Sequence, residues 1–225
     1  MPTTSPLYAP QAVLFDLDGT LADTAPDLAA ALNHVRRLDG LPEVDVAVLR
    51  PYTSSGARGL IQAGYGFGPE HADFERIRQA FLDHYAAHLA EHSRLFDGIT
   101  ALLDALEARG VPWGVVTNKS MRFTPAVLQG LALAERAAVV IGGDTTPHSK
   151  PHPEPLLEAC RRLSVAPAAS IYVGDDLRDV QAARAAGMPS VATAWGYLGT
   201  GDPPEAWGAD HLIDHPLDLL PLLFD

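Results

Sequence analysis

The sequence is poor in cysteine and in positive charge, and it has no long apolar run. Its single cysteine, Cys160, excludes an internal disulfide and predicts a protein of the reducing cytoplasm. The formal net charge of −12 argues against binding to nucleic acids or anionic membranes, because either surface requires basic patches. No apolar run approaches the length of a membrane span, and Met1 to Pro10 lacks the basic start and apolar stretch of an export signal. We therefore expect a cytoplasmic protein that binds neither nucleic acid nor membrane, and whose acidic surface suits a monomer.

Lysine is also scarce. Of the sixteen basic side chains only Lys119 and Lys150 are lysines, and both come shortly after predicted strands. Elsewhere the chain uses arginine wherever a cation is needed. The ammonium group of lysine is a more compact point charge against phosphate than a guanidinium. We therefore expect at least one of the two lysines to be functional.

The order of apolar and periodic segments predicts an α/β fold. With 225 residues, of which 47% are hydrophobic and 20% charged, the chain can bury a large core. Short apolar runs alternate with helical stretches, an order typical of a doubly wound (Rossmann-like) parallel sheet whose strands are buried on both faces. The predicted strands are Ala12–Phe15, Val111–Val116, Ala138–Ile141, Ser170–Val173 and Ser190–Thr193, with His211–Ile213 as a candidate sixth.

Residues 24–92 interrupt this alternation, because they carry helix and turn signals but no strand signal. We therefore predict a helical cap domain at 24–92, inserted into a core domain formed by residues 1–23 and 93–225. The helices expected in the insertion are Ala29–Leu38, Val46–Leu49, Gly59–Ala63 and Phe74–Ala90.

Two carboxylates follow the first predicted strand at once. Asp16 and Asp18 are two residues apart, so in extended backbone their side chains leave the same face of the chain. Their charges would repel unless a cation lies between them or one carboxylate acts as nucleophile and the other as acid. The alternative is ordinary turn chemistry at a strand end, since Asp and Gly favour turns.

The other predicted strands also end in polar residues. Thr117, Lys150 and Asp175 follow strands whose carboxyl ends meet at one edge of a parallel sheet, where ligands bind. The set suggests phosphoryl transfer through a covalent aspartyl phosphate, with Asp16 as nucleophile and Asp18 as general acid and base. Asp16, the backbone carbonyl of Asp18 and Asp175 would hold Mg²⁺, while Lys150 and Thr117 would bind the phosphoryl oxygens.

Four motifs in a fixed order carry a family resemblance. They are Asp16-Leu17-Asp18-Gly19-Thr20-Leu21, Thr117-Asn118, Lys150-Pro151-His152-Pro153, and Gly174-Asp175 through Asp179. In this order they resemble the haloacid dehalogenase-like hydrolase superfamily, and the match spans nearly the whole chain. The resemblance implies the same roles for Asp16, Asp18, Thr117, Lys150 and Asp175, and it adds Asn118 to the residues that bind substrate. Asp179 would support the metal waters or Lys150, whereas Asp176, where related phosphatases commonly have Ser, receives no role.

Two residues narrow the reaction within the superfamily. Asp18 favours phosphate esters, because members that cleave carbon–halogen bonds lack the second aspartate. Gly174 stands where sugar phosphomutases of the β-phosphoglucomutase type carry an acidic residue. A mutase and a non-catalytic binding module on the same fold are the alternatives. The helical insertion resembles the cap of the phosphoglycolate phosphatase-like branch, and further stretches look like the N-acetylmuramic acid 6-phosphate phosphatases of bacteria. N-acetylmuramic acid 6-phosphate and 2-phosphoglycolate are therefore the expected substrates, the former implying a role in cell-wall recycling.

Two further features lie in the insertion. Arg58, in an expected loop at 54–58, could bind a carboxylate of the substrate, but it could equally be a surface cation paired with a cap glutamate. His84, His88 and His92 are four residues apart on one face of a predicted helix. That spacing could bind a transition metal, but a solvated surface is the preferred interpretation.

Overall fold

The structure, a computed structural model, describes residues 10–224. The expectation about Met1 to Pro10 thus lies, except for Pro10, outside the described residues. Within 10–224, none of the helices combines the length and the apolar composition that crossing a membrane requires.

The centre of the fold is a six-stranded sheet in which all neighbouring strands are parallel. Its order is β5-β4-β1-β6-β7-β8, so the first strand lies in the middle and its neighbours come from distant parts of the chain. This confirms the predicted doubly wound α/β fold, including the candidate sixth strand. The strands are β1 (Ala12–Phe15), β4 (Trp113–Val116), β5 (Val139–Ile141), β6 (Ser170–Gly174), β7 (Ser190–Thr193) and β8 (His211–Ile213).

Helices cover both faces of this sheet. Because successive residues of a strand point to opposite faces, Val13 and Phe15 of β1 pack into one apolar cluster and Leu14 into another. The first cluster includes side chains of α5, α6 and α9, and the second includes side chains of α7 and α8. The helices are α5 (Ile99–Ala108), α6 (Thr124–Gly130), α7 (Glu154–Leu163), α8 (Leu177–Ala186) and α9 (Leu219–Phe224).

Between β1 and α5 the chain forms a helical segment, residues 25–87, with an apolar cluster of its own. Leu32, Leu60 and Phe81 are among its buried members. The chain enters and leaves this segment through a short antiparallel ribbon of β2 (Ala22–Asp23) and β3 (Arg94–Leu95). The division into core and cap domains at residues 24 and 92 stays a prediction. The helices of the segment are α1 (Ala25–Leu38), α2 (Val46–Leu49), α3 (Gly56–Tyr65) and α4 (Phe74–Ala87).

Two expectations for the helical segment are wrong. Arg58 lies in the first turn of α3 and not in a loop, because burial of Leu60 and Ile61 stabilises a helix that the turn-favouring run Ser54-Ser55-Gly56 conceals. Helix α4 ends at Ala87 and not at Ala90. A short helix, α6, was not predicted at all.

Candidate active site

Polar side chains from several strand ends line one cavity of about 500 Å³. Asp16 and Asp18 follow β1, Thr117 follows β4, and Lys150 follows β5 after a longer connection. On the opposite side the cavity is lined by residues of α1, α3 and α4. The structure thus brings together most of the residues that the sequence singled out.

Lys150 is the most highly connected group in the cavity. Its ammonium lies 3.1 Å from Asp16 Oδ1 and 2.7 Å from Asp179 Oδ1, and its side chain is 2% exposed. Burial alone would lower the pKa of Lys150, but the charges of Asp16 and Asp179 outweigh it and raise the pKa above its ordinary value. Lys150 therefore stays charged beside the predicted nucleophile.

Tyr172 belongs to the same network, although the sequence analysis did not single it out. Its hydroxyl accepts a hydrogen bond from Lys150 Nζ (2.7 Å) and donates one to the carbonyl of Val116 (2.6 Å). A tyrosine in the middle of a fully buried strand needs such a partner for its hydroxyl, and that was the available signal.

Asn118 and Thr117 shape the loop after β4. The Asn118 amide donates to the carbonyl of Lys150 and accepts from its N–H, both at 3.0 Å. Asn118, which was expected to bind substrate, therefore holds the backbone of Lys150. Thr117 is 2% exposed, and its hydroxyl accepts a hydrogen bond from the N–H of Lys119 at 3.2 Å.

Three carboxylates cluster beside Lys150. Oxygen atoms of Asp16, Asp175 and Asp179 all lie within 4.8 Å of one another. Asp175 is fully buried, where it accepts hydrogen bonds from Thr20 Oγ1 and the N–H of Tyr197, both at 2.8 Å. Burial, with the neighbouring charges of Asp16 and Asp179, raises the pKa of Asp175 well above its ordinary value.

The backbone is built to admit this cluster. A Cβ atom added at Gly19 or at Gly196 would lie 2.2 Å from an atom of Asp175, so only glycine allows the carboxylate to pack there. Buried oxygen ligands of like charge at this spacing fit a hard divalent cation such as Mg²⁺. The metal ligands expected from the sequence were Asp16, Asp18 and Asp175. Asp18 was expected to contribute its backbone carbonyl, which stays a prediction, while the side-chain group holds Asp16 and Asp175 and adds Asp179.

The carboxylate of Asp18 is held elsewhere. Its Oδ2 lies 3.1 Å from Lys119 Nζ, and its Oδ1 accepts a hydrogen bond from Thr24 Oγ1. Lys119 also donates to the hydroxyl of Tyr85 at 3.0 Å. Burial alone would lower the pKa of Lys119, but Asp18 and Tyr85 raise it above its ordinary value. The scarcity of lysine was the signal for this residue.

Asp176 has a structural explanation. Its side chain caps the N-terminus of α8 in a capping box with Asp179, and it pairs with Arg178 through both oxygens at 2.8 Å. Arg178 also donates to the carbonyl of Ser54 at 2.7 Å, which links α8 to the helical segment. Asp176 thus orients an arginine that joins the two sides of the cavity.

The far side of the cavity carries arginines and an apolar wall. Arg58 is exposed and, among the described residues, forms no ion pair within 4.0 Å. Backbone hydrogen bonds and, after them, the charge of Arg58 lower the pKa of Glu70, so the alternative of a glutamate partner remains beside that of a substrate carboxylate. Arg78 pairs with Glu75 at 2.7 Å. The apolar wall is formed by Leu28, Phe81, Leu82, Tyr85 and Phe123.

The histidine row is not on one helix face. Helix α4 ends at Ala87, so His88 is its C-cap and His92 lies beyond it. His84 stacks on His34 with ring centres 3.9 Å apart, and its ring is tilted by 31° to that of His88 at 4.3 Å. Within residues 10–224 the row forms no group of three metal-ligating atoms.

Comparison with known proteins yields consistent matches. The family model of the haloacid dehalogenase-like hydrolases matches residues 13–193. The chain is 46% identical over 213 residues to N-acetylmuramic acid 6-phosphate phosphatase of Pseudomonas aeruginosa, covering 95% of this chain and 94% of that one. It is 47% identical over 210 residues to phosphoglycolate phosphatase of Xanthomonas campestris pv. campestris, covering 93% and 95%.

A solved structure is similar over the same extent. The crystal structure of a predicted phosphoglycolate phosphatase from Haemophilus somnus has a TM-score of 0.83 and 28% sequence identity, covering 93% of this chain and 96% of that one. The similarities therefore include both the sheet and the helical segment.

Proposed function

Because the chain belongs to the haloacid dehalogenase-like hydrolases and is a phosphatase of that type, we propose that it hydrolyses a small phosphate monoester through an aspartyl phosphate on Asp16. The observation that carries this proposal is the contact between Asp16 and Lys150 at 3.1 Å in the cavity. The ammonium would neutralise charge on both the attacking carboxylate and the phosphoryl group, so that two anions can approach each other. Thr117 would donate its hydroxyl to a phosphoryl oxygen.

The acid and base of the reaction would be Asp18. It would protonate the leaving alcohol and then deprotonate the water that hydrolyses the aspartyl phosphate. Asp16, Asp175 and the backbone carbonyl of Asp18 would hold Mg²⁺, which when bound neutralises charge on the phosphoryl oxygens. Asp179 would orient Lys150 by the contact at 2.7 Å. We further propose that residues 24–92 form a cap that closes the cavity.

The phosphomutase alternative is disfavoured at Gly174. A Cβ atom at this position would lie 2.3 Å from Asp179 Oδ2, so the backbone as it stands admits no acidic side chain. The alternative of a non-catalytic module is disfavoured because no member of the predicted site is missing. A binding module would gain nothing from buried carboxylates that repel one another.

Of the two expected substrates, the cavity favours N-acetylmuramic acid 6-phosphate. A volume of about 500 Å³ far exceeds the need of the two-carbon acid in 2-phosphoglycolate, and its apolar wall suits the acetyl and lactyl methyl groups. The guanidinium of Arg58, exposed at the cavity, would bind the lactyl carboxylate, which is the role proposed for it. This substrate would place the enzyme in cell-wall recycling.

The test is phosphate release in Mg²⁺ from N-acetylmuramic acid 6-phosphate and 2-phosphoglycolate, with p-nitrophenyl phosphate as reference. We expect kcat/KM for the muramic acid to exceed that for phosphoglycolate by about 100-fold, which corresponds to about 2.7 kcal/mol of transition-state discrimination. A preference for phosphoglycolate would overturn the substrate assignment. Retention of activity by Asp16→Asn would overturn the chemistry.

A further inference from the structure

The site contains two lysines and the two carboxylates of the first motif, and each lysine contacts one of these two carboxylates. Lys150 contacts Asp16, whereas Lys119 contacts Asp18. From this pairing we infer that Lys119 is a positioning residue for Asp18. Lys119 orients the Asp18 carboxylate, and the position of Lys119 depends in turn on helix α4. The inference rests on the proposed role of Asp18 in proton transfer.

Lys119 is built into the site and is not a surface cation. Its side chain is 7% exposed, and its ammonium lies between Asp18 Oδ2 at 3.1 Å and the Tyr85 hydroxyl at 3.0 Å. The ammonium also lies 5.0 Å from the centre of the Tyr85 ring. An ammonium is buried at this depth only when partners compensate its lost hydration, and these partners are Asp18 and Tyr85.

The contacts of Asp18 reach the helical segment by two routes. Through Lys119, one oxygen is connected to Tyr85 in the last turn of α4. The other oxygen accepts from Thr24, the residue directly before α1, whose N–H in turn donates to the hydroxyl of Tyr197 at 2.7 Å. Displacement of α1 would remove Thr24 from one oxygen of Asp18, and displacement of α4 would remove Tyr85 from Lys119, the partner of the other oxygen. We therefore expect the orientation of the Asp18 carboxylate to depend on the packing of these two helices.

A different role for Lys119 makes a different prediction. Because Lys119 lines the cavity, it could instead bind the phosphoryl group directly, as Lys150 is proposed to do. A residue that binds the phosphoryl group would be needed equally for every substrate. A positioning residue of the general acid matters only where the leaving group needs a proton.

The experiment compares kcat/KM for p-nitrophenyl phosphate, whose leaving group is a stable anion, with that for phenyl phosphate and N-acetylmuramic acid 6-phosphate. We expect Lys119→Met to lower kcat/KM for the latter two about 10- to 100-fold more than for p-nitrophenyl phosphate, within the contribution of a general acid. Tyr85→Phe, which keeps the ring and removes the hydroxyl, should cause the same pattern at a smaller size. The matched control is Tyr65→Phe, because the hydroxyl of Tyr65 contacts Asp39 outside the cavity. This variant should leave the kcat/KM of phenyl phosphate and of N-acetylmuramic acid 6-phosphate, each relative to p-nitrophenyl phosphate, unchanged.

The outcomes separate the roles. An equal loss for all three substrates in Lys119→Met would overturn the inference in favour of phosphate binding. Unchanged kinetics in Lys119→Met would overturn the inference and would also exclude phosphate binding by Lys119. If Lys119→Met does not fold, Tyr85→Phe decides, because it leaves the ion pair intact. Failure of the wild-type protein to release phosphate from any of the three would refute the proposed function itself, independently of both variants.

Discussion

The two sides of the cavity are built differently. The floor is formed by Asp16, Lys150 and Asp179, with Asp175 beside them, and these side chains are at most 13% exposed. Every one of them has at least one charged or hydrogen-bonding partner within 3.1 Å. The roof, formed by Arg58 and Arg78, is exposed. Arg78 is 41% exposed with one surface partner, and Arg58 forms no ion pair among residues 10–224.

This difference separates chemistry from recognition. Buried charges interact strongly, and none of these residues can be substituted without cost, because removal of one partner leaves another charge uncompensated. Exposed arginines contribute little to folding, so they can be exchanged to fit another substrate. We therefore expect substitutions in the floor to affect turnover and stability for every substrate, and substitutions in the roof to affect only the choice of substrate.

The largest effect is expected at Asp16. Asp16→Asn keeps the shape of the side chain but removes the proposed nucleophile, so kcat should fall by at least about 10³-fold for every phosphate ester. Phosphate release by the purified variant measures this, and circular dichroism verifies the fold. Asp83→Asn, at an exposed ion pair with Arg122, is the control and should retain full activity.

Lys150 tests the floor as a charge network. Lys150→Met leaves Asp16 and Asp179 without their shared cation, so the free energy of unfolding should fall by about 3–5 kcal/mol. Loss of electrostatic stabilisation should also lower kcat by about 10²- to 10³-fold. Urea denaturation measures the first effect. A decrease below about 1 kcal/mol would show that the floor is no more coupled than the roof.

Arg58 tests the roof. Arg58→Ala should raise KM for N-acetylmuramic acid 6-phosphate about 10-fold or more, the size expected when a charge-assisted hydrogen bond to a carboxylate is lost, and should leave p-nitrophenyl phosphate unaffected. Steady-state kinetics with both substrates measures this. Arg76→Ala, whose partner Asp39 lies outside the cavity, is the matched control. A uniform change across all esters would contradict the separation of floor and roof.

The smallest effect is expected at Gly174, whose substitution tests how tightly the floor is packed around Asp179. Gly174→Ala forces a methyl group against Asp179, so we expect a loss of about 1–3 kcal/mol in the free energy of unfolding. In Gly201→Ala the added methyl group meets no atom within 4 Å, and this variant should unfold like the wild type. Equal stability of the two variants would show that the backbone near Gly174 adjusts without cost.

Much of the fold followed from local patterns. The strands β1 and β7, each of four buried residues, were predicted with the bounds that they have in the structure, because apolar runs act over a few positions. The same reasoning failed at Arg58. There, Ser and Gly favour a turn locally, but burial of Leu60 in the helical segment favours α3.

The sequence by itself determined the class of fold and the residues that stand at the strand ends, since both depend on near neighbours in the chain. Only the tertiary structure decided which groups meet: Lys119 with Asp18 and Tyr85, Lys150 with Asp16 and Tyr172, and Asp179 with Asp175. Most of these partners are 20 to 150 residues apart, and their approach depends on how strands order in the sheet and how helices pack on its edge. The order of the motifs predicted that these strand ends gather at one edge of the sheet, but not the distances between their side chains or the contacts of Lys119 and Tyr172.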